Sequence, residues 1–221
     1  MPTTKKLPLS GGEQKFKYNP WLSKGVRSNN CYAYAVGDYK NHRLQKSVPG
    51  NRSGMSNKYH SYTHCKGLSR RVLSDNPGKI YKCNPDTKCK PGYYKIMMVV
   101  APYYKGIGGD FHFYKQHGQV QYRIKDGDTY SSISKAFRVP VGRIRSCGPL
   151  KNSKMIRFKT NVFSHKMGWG TGPLLRDACG KIIIDPRKAC RKYTLNYSRF
   201  CSAFCVKNIG VKAGKINRKI I

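Results

Sequence analysis

The chain has 221 residues, with 44 Lys and Arg against 9 Asp and Glu, for a formal charge of +35. Its longest apolar run, Ile96 to Ala101, is far short of the roughly 20 residues a membrane-spanning helix needs, and 38% hydrophobic with 12% aromatic residues supply the core that disordered chains lack. No more than two Lys or Arg are ever consecutive, which excludes a histone-like tail or a polybasic anchor and leaves a folded body whose surface faces phosphate, lipid headgroups or acidic proteins.

In chain order, residues 1–30 are rich in Gly, Pro, Asn and Lys and read as an extended arm anchored by Tyr18 and Trp21. Ser28, Asn29 and Asn30 offer N-caps for a short buried helix from Cys31 to Val36, ended by Gly37. Residues 40–67 are turn-rich and read as loop. Turns at Asn76-Pro77-Gly78 and Lys90-Pro91-Gly92 bracket a hairpin, and residues 93–102 form a strand. After a hinge at Gly106 to Gly109, Asp110 to Lys115 form a second strand centred on His112.

Residues 120–159 read as a unit of their own. A strand from Val120 to Lys125 precedes a turn at Asp126-Gly127-Asp128. A helix follows with Ile133 and Phe137 on one face, then a second apolar turn at Ile144 and a returning strand from Met155 to Phe158. The outer domain resumes at Val162 to Lys166. Ile182 to Ile184 then read as a strand, Asp185-Pro186 as a helix start, and the segment to Val206 is rich in Cys and Tyr. Residues 207–221 carry five basic residues and no acid, and read as a second, basic arm.

The start of the chain, Met1 to Ser10, lacks a signal peptide's run of about 7 to 15 apolar residues, so synthesis in the cytosol is expected. Nine cysteines are many for a reduced cytosolic protein. No Cys-x-x-Cys occurs, so no metal or other cofactor is expected. A bridge between Cys83 and Cys89 is favoured, with other bridges holding the C-terminal cysteines, one cysteine being left over.

The run Tyr122-Arg-Ile-Lys-Asp-Gly-Asp-Thr-Tyr-Ser-Ser-Ile-Ser-Lys-Ala-Phe137 resembles a LysM module. That resemblance implies binding of N-acetylglucosamine-containing glycan through Gly127, Asp128, Thr129 and Tyr130, with Gly148 to Lys151 as the facing loop. A thiol at a helix N-terminus is a candidate nucleophile, and Cys31 stands at one. Its order with His112 and His165 on successive strands resembles the NlpC-type papain-like cell-wall peptidases, and implies Cys31 as nucleophile, His112 as general base and His165 as orienter. Asn30 departs from the Asp those enzymes commonly carry there.

Leu9-Ser-Gly-Gly-Glu, Asn29-Asn-Cys-Tyr-Ala-Tyr-Ala35, Asp110-Phe-His-Phe-Tyr114, Ser164-His-Lys166 and Asp177-Ala-Cys-Gly-Lys-Ile-Ile-Ile-Asp-Pro186 together resemble a protein type encoded by giant and algal DNA viruses, which implies a virion assembled in host cytoplasm. The expected architecture is α+β: a small papain-like, NlpC-like mixed domain from 31–119 plus 160–206, an inserted LysM-like βααβ module at 120–159, and extended basic termini at 1–30 and 207–221. The expected role is a minor capsid protein bridging capsomers beneath the shell, with other capsid proteins, an anionic inner membrane or genome DNA as partners. The alternatives are a virion-carried cysteine amidase or endopeptidase and a nonspecific nucleic-acid packager.

Overall fold

The computed structural model describes residues 6–39, 46–55, 64–102 and 109–214. The elements are helices α1 (Lys24–Ser28), α2 (Cys31–Val36), α3 (Cys65–Ser74), α4 (Tyr130–Phe137) and α5 (Val141–Arg145), with strands β1 (Ile80–Cys83), β2 (Tyr93–Ala101), β3 (Asp110–Arg123), β4 (Met155–Lys166), β5 (Pro173–Leu174) and β6 (Arg199–Lys207). The strands form one six-stranded sheet in the order β1-β6-β2-β3-β4-β5, and every pairing is antiparallel.

Both faces of the sheet centre are covered, which explains why Ile96 to Ala101 is apolar without alternation. On one face Ile96, Met98, Val100, Phe111, Phe113 and Phe204 pack against Tyr32, Ala33 and Val36 of α2 and Leu68 and Val72 of α3. On the other, Met97, Val99, Tyr114, Phe163 and Ala203 pack against Leu7, Ile183 and Tyr197. A further cluster fills the far end of the β3–β4 hairpin, where Val120, Tyr122, Ile156 and Phe158 meet Ile133, Phe137 and Ile144 of α4 and α5, together with Phe16, Ile182 and Ile184.

α2 forms as the sequence predicts. The Asn30 side chain accepts from the Ala33 backbone N–H at 3.1 Å, and Gly37 closes the helix in the left-handed region at φ 76°. The N-terminal arm lies on its own chain: Phe16 is fully buried and bridges Val120 in parallel, and Trp21 stacks edge-on to Tyr34 and Tyr39. Gly12 runs so close to the Tyr93 backbone that no side chain would fit there. At the other end, Val211 and Ala213 are buried, and Asp38 accepts from the Ala213 backbone N–H at 2.8 Å.

Several expectations are corrected. Residues 65–67 begin α3 rather than end a loop, because Leu68 and Val72, one helical turn apart, both bury. β1 does not pair with β2; the last strand, β6, inserts between them, a long-range choice that local turn signals cannot reveal. Ile182 to Ile184 make only an isolated bridge, Arg176 to Ile182, and no helix starts at Asp185. The strands expected to bound 120–159 are the outer halves of β3 and β4, which run unbroken into the main sheet. The hinge at 106–109 lies outside the described residues except for Gly109.

The bridges are Cys65–Cys201, Cys89–Cys205 and Cys179–Cys190. The expected Cys83–Cys89 pair is therefore not formed, and Cys31, Cys83 and Cys147 are free. Cys89 reaches β6 because the sheet places Cys205 beside the 84–92 loop. No helix among the described residues is long and apolar enough to cross a membrane.

Candidate functional site

The sheet brings two of the three expected catalytic residues together. His112 and His165 lie near the same end of β3 and β4, and His112 Nε2 is 2.9 Å from His165 Nδ1. His165 Nε2 is also 2.9 Å from the Arg176 carbonyl. That carbonyl can only accept, so His165 carries its proton on Nε2 and His112 donates to Nδ1. Tyr114, Tyr193 and Tyr197 surround the pair. Burial holds both rings neutral, His165 down to about 4 and His112 well below its ordinary value.

Cys31 stands apart from that pair. It packs in the cluster that contains Phe111 and Phe113, while His112, between them on the strand, turns to the opposite face. Its Sγ is 3.7 Å from the Phe111 carbonyl, and among the described residues it makes no hydrogen bond to either imidazole. Burial first, then the Asp110 carboxylate, push the thiol up to about 12. Such a sulfur stays protonated at neutral pH and is a poor nucleophile.

A different polar cluster lies on the α2 face of the sheet. His117 and Lys115 both belong to β3 and are buried. Tyr34 Oη is 2.6 Å from Ser164 Oγ, Ser164 Oγ is 2.7 Å from His117 Nε2, and His117 Nδ1 is 2.8 Å from the Gln14 carbonyl. The carbonyl fixes the proton on Nδ1, so the Ser164 hydroxyl donates to Nε2 and accepts from Tyr34. Burial and the nearby Lys115 ammonium hold His117 down to about 3. The imidazole is thus a weak base and the hydroxyl is sealed from solvent, so this relay ties α2, β3, β4 and the arm rather than activating a nucleophile.

Lys115 donates to Gln14 Oε1 at 2.7 Å and lies over the Tyr94 and Tyr34 rings at 4.9 and 5.6 Å. Burial lowers it to about 7. Above it opens a cleft of about 530 Å³, bordered by Gly11 to Gln14, Trp21, Tyr34, Tyr39 and His117. The signal that could have revealed this site is the alternation Phe113, Lys115, His117 on one strand.

The four residues of the expected glycan loop are each engaged locally. Gly127 turns the chain at φ 75°. Asp128 accepts from Tyr122 Oη at 2.9 Å and from the Lys125 backbone N–H at 2.8 Å. Thr129 caps α4 in a reciprocal box with Ser132. Tyr130 Oη donates to the Gly148 carbonyl at 3.3 Å, so the two loops assigned to glycan contact lie side by side.

The acids are largely taken up inside the molecule. Eight of the nine carboxylates accept hydrogen bonds from this chain: Glu13 from an arm turn, Asp38 from the C-terminal segment, and Asp75 from Tyr32, Gly50, Arg52 and Ser53. Asp86 and Asp185 hold Arg187, Asp110 holds Tyr197, Asp128 holds Tyr122, and Asp177 accepts from Cys179, Lys181 and Cys190. The carboxylates thus fasten loops, and nine acids cannot pair the 44 Lys and Arg of the chain.

These features define a mixed α+β protein built on one antiparallel sheet. A scan against protein-family models and searches of the curated proteins and of the solved structures found no match to the chain.

Proposed function

We propose that the chain is a structural component of a large DNA virus particle, a minor capsid protein that bridges shell subunits and turns its basic surface to an anionic layer. The observation that carries this reading is the charge balance: the formal excess is +35, and eight of the nine carboxylates accept hydrogen bonds from the chain itself. A lone body with that excess repels itself, and a polyanionic neighbour relieves the repulsion. The three bridges suit a protein oxidised during assembly. The virion setting itself rests on the sequence resemblance.

Within this reading, α2 against the sheet is a papain-like, NlpC-like scaffold whose chemistry is absent. A buried Cys31 thiol without an imidazole partner argues against the cysteine amidase. Residues 120–159 are a LysM-like module, supported by the order β3, α4, α5, β4 and by the neighbouring 127–130 and 148 loops. Contact with an N-acetylglucosamine-containing glycan belongs to that part of the proposal.

The experiment is cosedimentation of the oxidised chain with phosphatidylserine vesicles and, separately, with double-stranded DNA across a salt series. Binding to the vesicles that weakens with salt supports the proposal. Indifference to both polyanions overturns it. Binding to DNA alone, with a steep salt slope, overturns it in favour of nucleic-acid packaging.

A further inference from the structure

Cys83, the free cysteine of β1, has its sulfur within 4.8 Å of both sulfurs of the Cys89–Cys205 bridge. Cys83 is half-buried, whereas Cys89 and Cys205 are enclosed. We propose that these three residues form an internal thiol–disulfide exchange site, in which Cys83 takes Cys89 from Cys205 and the chain alternates between two covalent states.

The sheet selects which sulfur is attacked. On the β1–β6 ladder Cys83 stands opposite Ala203 and Tyr81 opposite Cys205, so Cys83 and Cys205 are diagonal neighbours. Diagonal Cα atoms lie about 7–8 Å apart, beyond what a disulfide spans without backbone movement. Cys89 sits in the connecting loop and is free of that constraint. The loop is held over the sheet by Lys95, whose Nζ donates to the Pro85 and Thr87 carbonyls at 2.6 and 2.7 Å. Lys95 is also the β2 residue directly opposite Cys205.

In the exchange, the Cys83 thiolate attacks Cys89 Sγ and the Cys89–Cys205 bond breaks. Its electron pair leaves with Cys205, and the proton lost by Cys83 ends on that sulfur. One disulfide is made and one broken, so no oxidant or reductant is needed. The Lys95 ammonium favours both the attacking and the departing thiolate; it opposes the burial that raises the Cys83 thiol. Asp86, Glu13 and Arg187 are the further charges acting on Lys95. The product releases the loop from β6, so the site couples a covalent change to the loop's attachment to the sheet.

The test maps disulfides in the full-length oxidised chain after incubation from pH 7 to 9 without added redox agents. Samples are acid-quenched, alkylated with N-ethylmaleimide at mildly acidic pH, digested with pepsin and read by mass spectrometry. The expected result is a Cys83–Cys89 peptide with alkylated Cys205, forming about tenfold faster per pH unit while the thiol is below its pKa. It should vanish in Cys83→Ser. Cys205→Ser refolded with oxidised glutathione should carry Cys83–Cys89. Finding only Cys89–Cys205 in the wild type at every pH, or free Cys83 and Cys89 in Cys205→Ser, overturns the proposal.

Discussion

The Ser164 hydroxyl donates to His117 Nε2 across 2.7 Å at a point where four parts of the chain meet. Gln14 of the arm orients the ring from one side, and Tyr34 of α2 donates to the hydroxyl from the other. Every member of this relay is used in its neutral form, which gives the protein an unusual response to pH.

His117 and His165 are held to about 3 and 4 and His112 is held well below its ordinary value by burial, while an unfolded histidine titrates near 6.5. As pH falls below about 6.5 the unfolded chain takes up protons that the folded chain refuses, so stability falls, by up to about 1.4 kcal/mol per pH unit for each ring. Lys115 at about 7, and Lys6 and Lys166 at about 8, carry the trend onward: unfolded lysines stay protonated to about 10.4, so stability rises with pH above 7. Cys31, raised to about 12, opposes the trend above about 9. Calorimetry at fixed ionic strength should show the melting temperature climbing from pH 5 to 9. His117→Gln should make the acid limb shallower by one ring's share while His112 and His165 keep the rest, and a maximum near pH 6 in the wild type would contradict the assignment.

Native alkylation separates the free cysteines. With iodoacetamide at pH 7.5, Cys83 and Cys147 should be labelled, since both are partly exposed, and Cys31 should react only after denaturation. Peptide mass spectrometry reads the outcome. Selective native labelling of Cys31 would restore the hydrolase reading.

The arm and the bridges contribute to stability in ways that denaturant titration can measure. Phe16→Ala should cost about 3–5 kcal/mol, because the ring is fully buried between β3 and the hairpin cluster. Replacing Cys65 and Cys201 together by Ala should cost about 2–5 kcal/mol, since their bridge joins residues 136 apart in sequence. Loss of less than about 1 kcal/mol in either case would mean these parts do not hold the fold.

Local signals in the sequence were legible where local physics decides. Asn30 and Gly37 delimit α2, and the strand expected at 93–102 forms as β2, Tyr93–Ala101. The proximity of His112 and His165 also follows from their strands. What could not be read is long-range. β6 enters the sheet between β1 and β2, which moves Cys89 to Cys205, because pairing between distant strands depends on the assembled core. Strand parity puts His112 and Cys31 on different sides of β3, and Ile182 and Ile184 fill the hairpin cluster while Ile183 packs against the sheet centre, without the three becoming a strand. Lys115 and His117 were missed because charged and polar residues on a strand ordinarily signal exposure, whereas the arm covers them here.

The most direct measurement of the proposed role is quantitative mass spectrometry of purified particles of the large DNA virus that the proposal implies as the source of this chain, treated with detergent and nuclease. The account predicts recovery of this chain in fixed stoichiometry with the shell proteins after both treatments. Its absence from the treated particles would contradict it.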